Sequence, residues 1–290
     1  MAKTPFLIIR FLIIRSRPVL AVLLFASALF AWKTKPTPEK NAAGNYNIPL
    51  WEEGKVPLAK GNGPLDNPFL TVSLPPEGKR NGGSVVVAPG GGNIMLLYGL
   101  EGLDIAERYN EWGVAAFILT YRLSPAYGED ARVLDGKRAI QLIRSRAAEW
   151  KLDPHRVGFI GFSAGSSLGR AVAAASGDGD PNATDPVDHF SSRPDYLGLV
   201  YGPGRAAPGE SLKDFPPTFL MAAAGDQSAA LGSAQLCMDL IRAGAIAELH
   251  IYQKGNHGFG SGFGSGTFSD WMPRLEHFLK QGGFLPGGKR

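Results

Sequence analysis

One serine lies in a pattern that is typical of a reactive hydroxyl. Ser163 stands between Gly161 and Gly165, directly after the apolar run VGFIGF and before a run of small residues. In a sharp G-x-S-x-G turn from strand to helix the hydroxyl is exposed, and small residues two positions away on either side avoid collisions. We therefore predict a nucleophile at Ser163; a glycine-packed turn without chemistry is the alternative that the pentapeptide alone leaves open.

Two further residues complete a candidate proton relay. Asp226 follows the hydrophobic run TFLMAAAG, and His257 follows IAELHIYQKGN in a glycine-flanked loop. A histidine can take the proton of a serine hydroxyl, and a carboxylate on its other ring nitrogen fixes the tautomer. Asp226 could instead cap the helix after it. The order Ser163, Asp226, His257, each after its own strand, favours a catalytic triad.

A glycine-rich segment can supply hydrogen-bond donors to the same reaction. APGGGN follows the strand SVVVA and contains Gly91 and Gly92. Their backbone N–H groups, with that of Ala164 after the serine, are the predicted oxyanion hole. A flexible loop or a phosphate cradle is the alternative, but the Lys-Ser/Thr that a phosphate cradle needs is missing from NIMLLYGL. We expect neither a metal nor another cofactor, because His, Cys and carboxylate residues show no ligand spacing.

Alternating hydrophobic strands and amphipathic helices must position these groups. Such alternation predicts an α/β fold, a mostly parallel sheet in one domain with helices on both faces. The reactive groups would then meet at the carboxyl ends of the strands. The predicted strands are FLTVSLP, GSVVVAPGGG, GVAAFILTYRL, RVGFIGF, YLGLVYG, TFLMAAAGD and IAELHIYQKG. The predicted helices are LDIAERYNEW, ARVLDGKRAIQLIRSRAAEW, 163–175, 233–244 and FSDWMPRLEHFLKQGG.

Charge and cysteine content narrow the class of protein. The net charge of +4 comes from residues 1–40, with seven basic residues and one acidic residue; residues 41–290 have 23 basic and 25 acidic residues. Because the body carries no basic surplus, nucleic-acid binding is not expected. The single cysteine, Cys237, cannot form an intramolecular disulfide and is predicted to be a buried, inert thiol.

The first 40 residues predict export. A basic start precedes an uncharged stretch up to Trp32 that is shorter than the roughly 18–20 apolar residues of a spanning helix, with small residues late in it. We interpret residues 1–32 as a signal peptide or an N-terminal membrane anchor, residues 33–45 as a linker, and residues 46–290 as the catalytic domain. The expected location is periplasmic, extracellular or anchored to the membrane by this segment alone.

The body of the chain resembles a known family. VVVAPGGG, EGLDIAERYNEWGVAAFILTYRL, LDGKRAIQLIRSRAAEWKLDPHRVGFIGFSAG and AGAIAELHIYQKGNHGFG look like acetylxylan-esterase-like bacterial α/β-hydrolases, a sugar-esterase branch related to feruloyl-esterase domains. The resemblance implies hydrolysis of short acyl esters, commonly acetyl groups on plant-type polysaccharides or their oligomers.

The chain departs from that family at positions that would form the pocket walls. Asn93 stands where the family usually has an aromatic residue, and Ser166 and Ser167 replace a Gly-His pair. We expect these three residues to bind substrate. The predicted partner is a small acyl ester or an acylated saccharide. A peptidase or a lipase-like esterase of the same fold, and an inactive hydrolase-fold binding module, are the alternatives.

Overall fold

The computed structural model describes residues 40–287, apart from residues 42, 203–205, 207–209 and 263–265. The predicted signal or anchor and most of the predicted linker lie outside the described residues. Within the described part of the chain, every helix is too short or too polar to cross a bilayer.

An eight-stranded, mostly parallel sheet is the framework of the described residues. The strands are β1 (Tyr46–Pro49), β2 (Phe69–Ser73), β3 (Ser84–Ala88), β4 (Ala115–Thr120), β5 (Val157–Phe162), β6 (Leu197–Val200), β7 (Thr218–Ala223) and β8 (Ala247–Tyr252). Their order is β1-β2-β4-β3-β5-β6-β7-β8. β2 pairs antiparallel with both β1 and β4, and the remaining pairs are parallel. The sheet confirms the predicted fold class.

Helices cover both faces of this sheet. They are α1 (Asp104–Glu111), α2 (Glu129–Ser145), α3 (Ala147–Trp150), α4 (Ala164–Ala174), α5 (Gln227–Arg242) and α6 (Trp271–Gln281). Side chains of α2, α4 and α5 form one core cluster with the sheet, and side chains of α1 and α6 contribute to the other. Alternate residues of one strand enter opposite clusters: Val86 faces the first, whereas Val85 and Val87 face the second. Strands covered on both faces read as continuous apolar runs, which is why they were recognisable.

The structure differs from the predicted elements at three places: one strand was not predicted, and two helix boundaries were wrong. β1 lies in a segment rich in turn formers and pairs with β2 at the sheet edge. The predicted helix 131–150 is broken at Arg146, whose backbone leaves the helical region, so α2 and α3 are separate. α5 begins at Gln227 rather than at residue 233, because the Asp226 carboxylate accepts the Ala229 N–H and caps it.

The strand order reverses between β3 and β5. β4 lies on one side of β3, and the chain then crosses over to add β5 on the other side. In open α/β sheets, a crevice forms outside the carboxyl ends of strands at such a switch point. Gly90 follows β3 and Ser163 follows β5, so the topology places the predicted oxyanion loop beside the predicted nucleophile.

The cysteine that we predict to be buried and inert lies in the core on one face of the sheet. Cys237 is a free, buried cysteine on α5, and burial raises the pKa of its thiol. A buried neutral thiol is a poor nucleophile, as predicted.

Candidate active site

Ser163 occupies a strained turn between β5 and α4. Its backbone angles are φ 51° and ψ −114°, a conformation that residues with a side chain adopt rarely. Its N–H donates to the Val200 carbonyl at 3.0 Å, and its carbonyl accepts the N–H groups of Ser166 and Ser167 at 3.0 and 3.1 Å. These bonds to β6 and to the first turn of α4 hold the serine in place despite the strain.

The two flanking glycines are required by close backbone contacts. A Cβ atom on Gly161 would lie 2.1 Å from the Gly165 carbonyl oxygen. A Cβ atom on Gly165 would lie 2.0 Å from the Ala88 carbonyl oxygen at the end of β3. The turn can therefore pack against its own helix and against β3 only without side chains at these positions.

The structure brings the three predicted triad side chains together. His257 Nε2 lies 2.7 Å from Ser163 Oγ. His257 Nδ1 is hydrogen bonded to Asp226 Oδ2. The His257 side chain is 48% exposed and that of Asp226 is 13% exposed, so the serine–histidine pair is open to a substrate while the carboxylate lies behind it. This geometry allows the imidazole to take the serine proton while the carboxylate orients the ring.

Asp226 has a second contact through its other carboxylate oxygen. Oδ1 accepts the Ala229 N–H at 3.1 Å and caps α5. The two interpretations of Asp226 that the sequence left open are therefore both present in the structure. Capping also fixes the carboxylate orientation, which keeps Oδ2 directed at His257.

The glycine loop after β3 lies against the serine turn. A Cβ on Gly90 would lie 2.8 Å from Ser163 Cβ. Gly91 and Gly92 have φ of +129° and +64°, which only glycine adopts readily. No described residue accepts a hydrogen bond from the N–H of either glycine, and the Ala164 N–H has no helical partner because Ala164 is the first residue of α4. These N–H groups are thus available to a ligand.

A buried pair beside the loop was missed by the sequence analysis. Glu101 is fully buried. Its Oε2 accepts the Gly90 N–H at 2.6 Å, and its Oε1 accepts the Tyr201 hydroxyl at 2.7 Å. Burial raises the pKa of Glu101, and the Tyr201 and Gly90 donors and the nearby His257 partly offset that rise. Two signals in the sequence could have found Glu101: it is a single acid in the otherwise apolar run LLYGLEGL, and it begins the segment EGLDIAERYNEWGVAAFILTYRL that resembles the family.

The predicted substrate-binding residues lie in different surroundings. The Asn93 carbonyl accepts the Ser124 N–H at 2.8 Å, and Asn93 is partly exposed after the two glycines. Ser166 is 3% exposed, and its side chain packs against the backbone of Gly202. Ser167 is partly exposed, and both serines border a narrow recess between α4, β6, β7 and α5. Substrate binding by these three residues stays a prediction.

An exposed apolar segment follows the glycine loop, which the sequence analysis did not recognise. Its exposed members are Ile94, Met95, Leu97, Leu100 and Leu103. A Cβ at Gly260, in the loop of His257, would lie 2.5 Å from Leu100 Cγ. The segment thus extends from the glycine loop to the histidine loop and forms one apolar wall of the site.

Alternative chemistry finds no support among the described residues. His250 is bonded to Glu248 at 2.7 Å on β8, and His189 Nε2 lies 2.8 Å from the Ala183 carbonyl oxygen. In the part of the chain that the structure describes, no group of three or more His, Cys, Asp or Glu side chains could hold a metal.

The sheet, the strained serine turn and the placement of Ser163, Asp226 and His257, each after its own strand, are those of an α/β-hydrolase fold. A model of the BD-FAE family matches residues 70–193. An acetyl ester-xyloside bifunctional hydrolase of Caldicellulosiruptor lactoaceticus is 30% identical, with a TM-score of 0.76 over 82% of this chain and 97% of its own. The chain belongs to this family of acetylxylan-esterase-like α/β-hydrolases, which are carboxylic ester hydrolases, as its sequence motifs predicted.

Two further proteins are similar to this chain, one in sequence and one in fold. An acetylxylan esterase of Xylanibacter ruminicola is 26% identical over 84% of this chain and 52% of its own length. The chain thus spans about half the length of that curated relative. Esterase 2 of Thermogutta terrifontis is 20% identical, with a TM-score of 0.68 over 85% of this chain and 95% of its own, and shares the fold.

Proposed function

We propose that this chain is a serine carboxylesterase that hydrolyses short acyl esters, above all acetyl esters of carbohydrates, through an acyl-enzyme. The observation that carries the proposal is the 2.7 Å contact of His257 Nε2 with Ser163 Oγ, with Asp226 on the other ring nitrogen. A hydroxyl, a base and an orienting carboxylate in this relation are the parts that acyl transfer requires.

The reaction follows from the contacts. His257 takes the Ser163 proton as the hydroxyl oxygen attacks the ester carbonyl, and the alcohol leaves with that proton. Water then attacks the acyl-serine and gives one proton to His257. As the bond to Ser163 Oγ breaks, His257 passes that proton to Oγ, and the carboxylic acid is released with Ser163 regenerated. The N–H groups of Gly91, Gly92 and Ala164 stabilise the oxyanion of each tetrahedral intermediate; one such donor typically contributes about 3 kcal/mol.

The substrate class is proposed from the relatives. One curated relative is an acetylxylan esterase, and a solved relative at 30% identity is an acetyl ester-xyloside bifunctional hydrolase. An acetyl group is small, and the alcohol side of the ester would extend toward solvent past the half-exposed His257. Acetylated xylo-oligosaccharides are therefore the first substrates to test.

A second candidate function is hydrolysis of esters with a longer apolar part. The observation that favours it is the exposed apolar wall, in which Ile94 is 70% and Met95 58% exposed. A series of p-nitrophenyl esters from acetate to octanoate, beside acetylated xylan and acetylated xylose, separates the two. The proposal expects kcat/KM to be highest for acetate; a maximum at octanoate supports the second function instead.

Labelling of the nucleophile tests the mechanism. A fluorophosphonate probe should label the wild type and not Ser163→Ala, and acetate release should disappear in that variant and in His257→Ala. Ser191→Ala is the matched control, because the hydroxyl of this partly exposed serine donates to the Gly177 carbonyl beyond the far end of α4. A wild type that neither reacts with the probe nor turns over p-nitrophenyl acetate would contradict the proposal and favour a binding module.

We also propose that the protein is exported by residues 1–32, on the composition of that segment. Expression of the full chain in a bacterial host, followed by fractionation, should place the enzyme in the periplasm, medium or membrane. Recovery in the cytoplasm with an intact N-terminus would contradict export.

A further inference from the structure

A continuous series of buried hydrogen bonds joins the loops of the site. The Gly90 N–H donates to Glu101 Oε2 at 2.6 Å, and the Tyr201 hydroxyl donates to Glu101 Oε1 at 2.7 Å. The same hydroxyl accepts the Gly260 N–H at 3.0 Å. Burial, followed by the charge of Glu101, raises the pKa of Tyr201 well above its usual value, so the hydroxyl keeps its proton and is the donor. One carboxyl thus connects the glycine loop after β3, the end of β6 and the loop of His257.

Glu101 fixes the peptide that precedes the proposed oxyanion donors. While the Gly90 N–H is bound by Glu101, the Gly90 carbonyl accepts the Leu97 N–H at 2.9 Å. Both polar groups of Gly90 are therefore satisfied from the segment 97–101, and the chain must turn at Gly91 and Gly92. The N–H groups of these two glycines are then left unbonded among the described residues.

Tyr201 connects Glu101 to the loop of His257, the proposed general base. Its ring lies 4.9 Å from the His257 ring and 4.5 Å from the Phe259 ring, measured between centroids. Its hydroxyl holds Gly260, three residues after His257. Its position is in turn fixed by β7, since its N–H donates to the carbonyl of Met221 on that strand at 2.7 Å.

We infer that Glu101 is a positioning residue, which aligns the oxyanion loop with Ser163 and, through Tyr201, holds the histidine loop against both. The inference rests on the proposed esterase function. Glu101 touches neither Ser163 Oγ nor a ring nitrogen of His257, so we assign it a positioning role rather than proton transfer. Misplacement of a reacting group by about 1 Å can reduce a rate about 100-fold.

Three variants test this inference. Glu101→Ala leaves the Gly90 N–H buried without its acceptor, and kcat should fall about 100-fold with little change in KM, as for the loss of one oxyanion donor. Glu101→Gln can accept the Gly90 N–H through its oxygen and donate to the Tyr201 oxygen through its amide, so kcat should remain within about fivefold. Tyr201→Phe releases Gly260 but keeps the ring, and should cost about tenfold.

A transition-state analogue separates positioning from general destabilisation. An alkyl trifluoromethyl ketone forms a tetrahedral adduct whose oxygen occupies the oxyanion hole, so its Ki should rise with the loss of kcat/KM in Glu101→Ala. Asp195→Ala is the matched control, because Asp195 lies at the amino end of β5, away from the site. It accepts the Val157 N–H at 2.7 Å and pairs with Arg144. This variant should lower the unfolding temperature and leave kcat and Ki unchanged.

The outcomes distinguish the two proposals. An active wild type whose Glu101→Ala variant keeps kcat within threefold overturns the positioning role and leaves the esterase intact. A Glu101→Gln variant as slow as Glu101→Ala overturns it as well, because charge rather than geometry would then matter. If Glu101→Ala does not fold, Glu101→Gln and Tyr201→Phe decide. An inactive, unlabelled wild type overturns the esterase proposal, and the positioning role with it.

Discussion

Asp226 makes two contacts through its two oxygens, and substitutions can remove them separately. Oδ2 is bonded to His257 Nδ1, and Oδ1 accepts the Ala229 N–H at 3.1 Å. Asp226→Asn keeps a capping oxygen but places an amide against the ring. Asp226→Ser keeps a capping oxygen and does not reach the ring. Asp226→Ala removes both contacts.

The expected magnitudes follow from these contacts. An amide N–H facing Nδ1 favours the wrong imidazole tautomer, and in serine proteases the equivalent change lowers kcat about 10⁴-fold. We expect all three variants to lose about 10³–10⁴-fold in kcat. Loss of an N-cap costs about 1 kcal/mol, which is about 2–4 °C in the unfolding temperature at this size. The interaction between the carboxylate and His257 is removed in all three variants, so it does not affect the comparison of their stabilities.

The assay is therefore kcat with p-nitrophenyl acetate beside thermal unfolding. Asp226→Asn and Asp226→Ser should unfold at similar temperatures, and Asp226→Ala several degrees lower. Asp239→Asn is the control on the same helix, since Asp239 bonds only to Gln235 and Arg242 at the surface of α5; it should keep full activity. If Asp226→Asn stays within tenfold of the wild type, Asp226 does not orient the base. If Asp226→Ser unfolds with Asp226→Ala, the capping argument is wrong.

Three other substitutions or probes test the framework. Gly165→Ala places a Cβ 2.0 Å from a backbone oxygen at the end of β3, and such overpacking should cost about 1–3 kcal/mol in a denaturant titration; an unchanged midpoint would contradict the packing. Arg122→Met removes the guanidinium from the fully buried Asp135 and leaves it the backbone N–H of residue 122, and should cost about 3–5 kcal/mol, whereas a loss below 1 kcal/mol would show that water reaches the pair. Cys237, whose thiol pKa is raised by burial, should react with Ellman's reagent at pH 8 only after unfolding; a fast reaction of the native protein would refute burial.

The sequence was sufficient for the parts of the site that depend on chain order. Parallel strands place their carboxyl ends at one edge, so Ser163 after β5, Asp226 after β7 and His257 after β8 had to come near one another. The strands themselves were visible because burial on both faces gives uninterrupted apolar runs. β1 could not be predicted because it is a short edge strand that contains Asn47 and Pro49, residues typical of turns.

The supporting contacts could not be predicted, because they depend on three-dimensional register. Glu101 and Tyr201 are one hundred positions apart. Glu101 begins a segment that resembles the family and Tyr201 lies in a predicted strand, but nothing in the sequence pairs the two side chains. Their contact requires the helical turn before α1 to pack against the end of β6 in the core. The start of α5 could not be predicted either. The segment QSAALG shows no regular helical spacing of apolar residues, and from the sequence alone capping by Asp226 and its contact with histidine are alternatives.

The strain at Ser163 explains why the supporting contacts are buried. A non-glycine residue at φ 51° costs of order 1–3 kcal/mol and persists only when its surroundings determine it from several sides. Val200 holds its N–H, the first turn of α4 holds its carbonyl, and the Gly90 peptide packs against its Cβ. Glu101 in turn holds Gly90. A hydrogen bond exposed to water would be exchanged at little cost and could not maintain that geometry, whereas a buried donor left without its acceptor costs about 1–3 kcal/mol. Ser163 and His257 can therefore be partly exposed to a substrate, because the residues that hold their loops in place, such as Glu101, are buried.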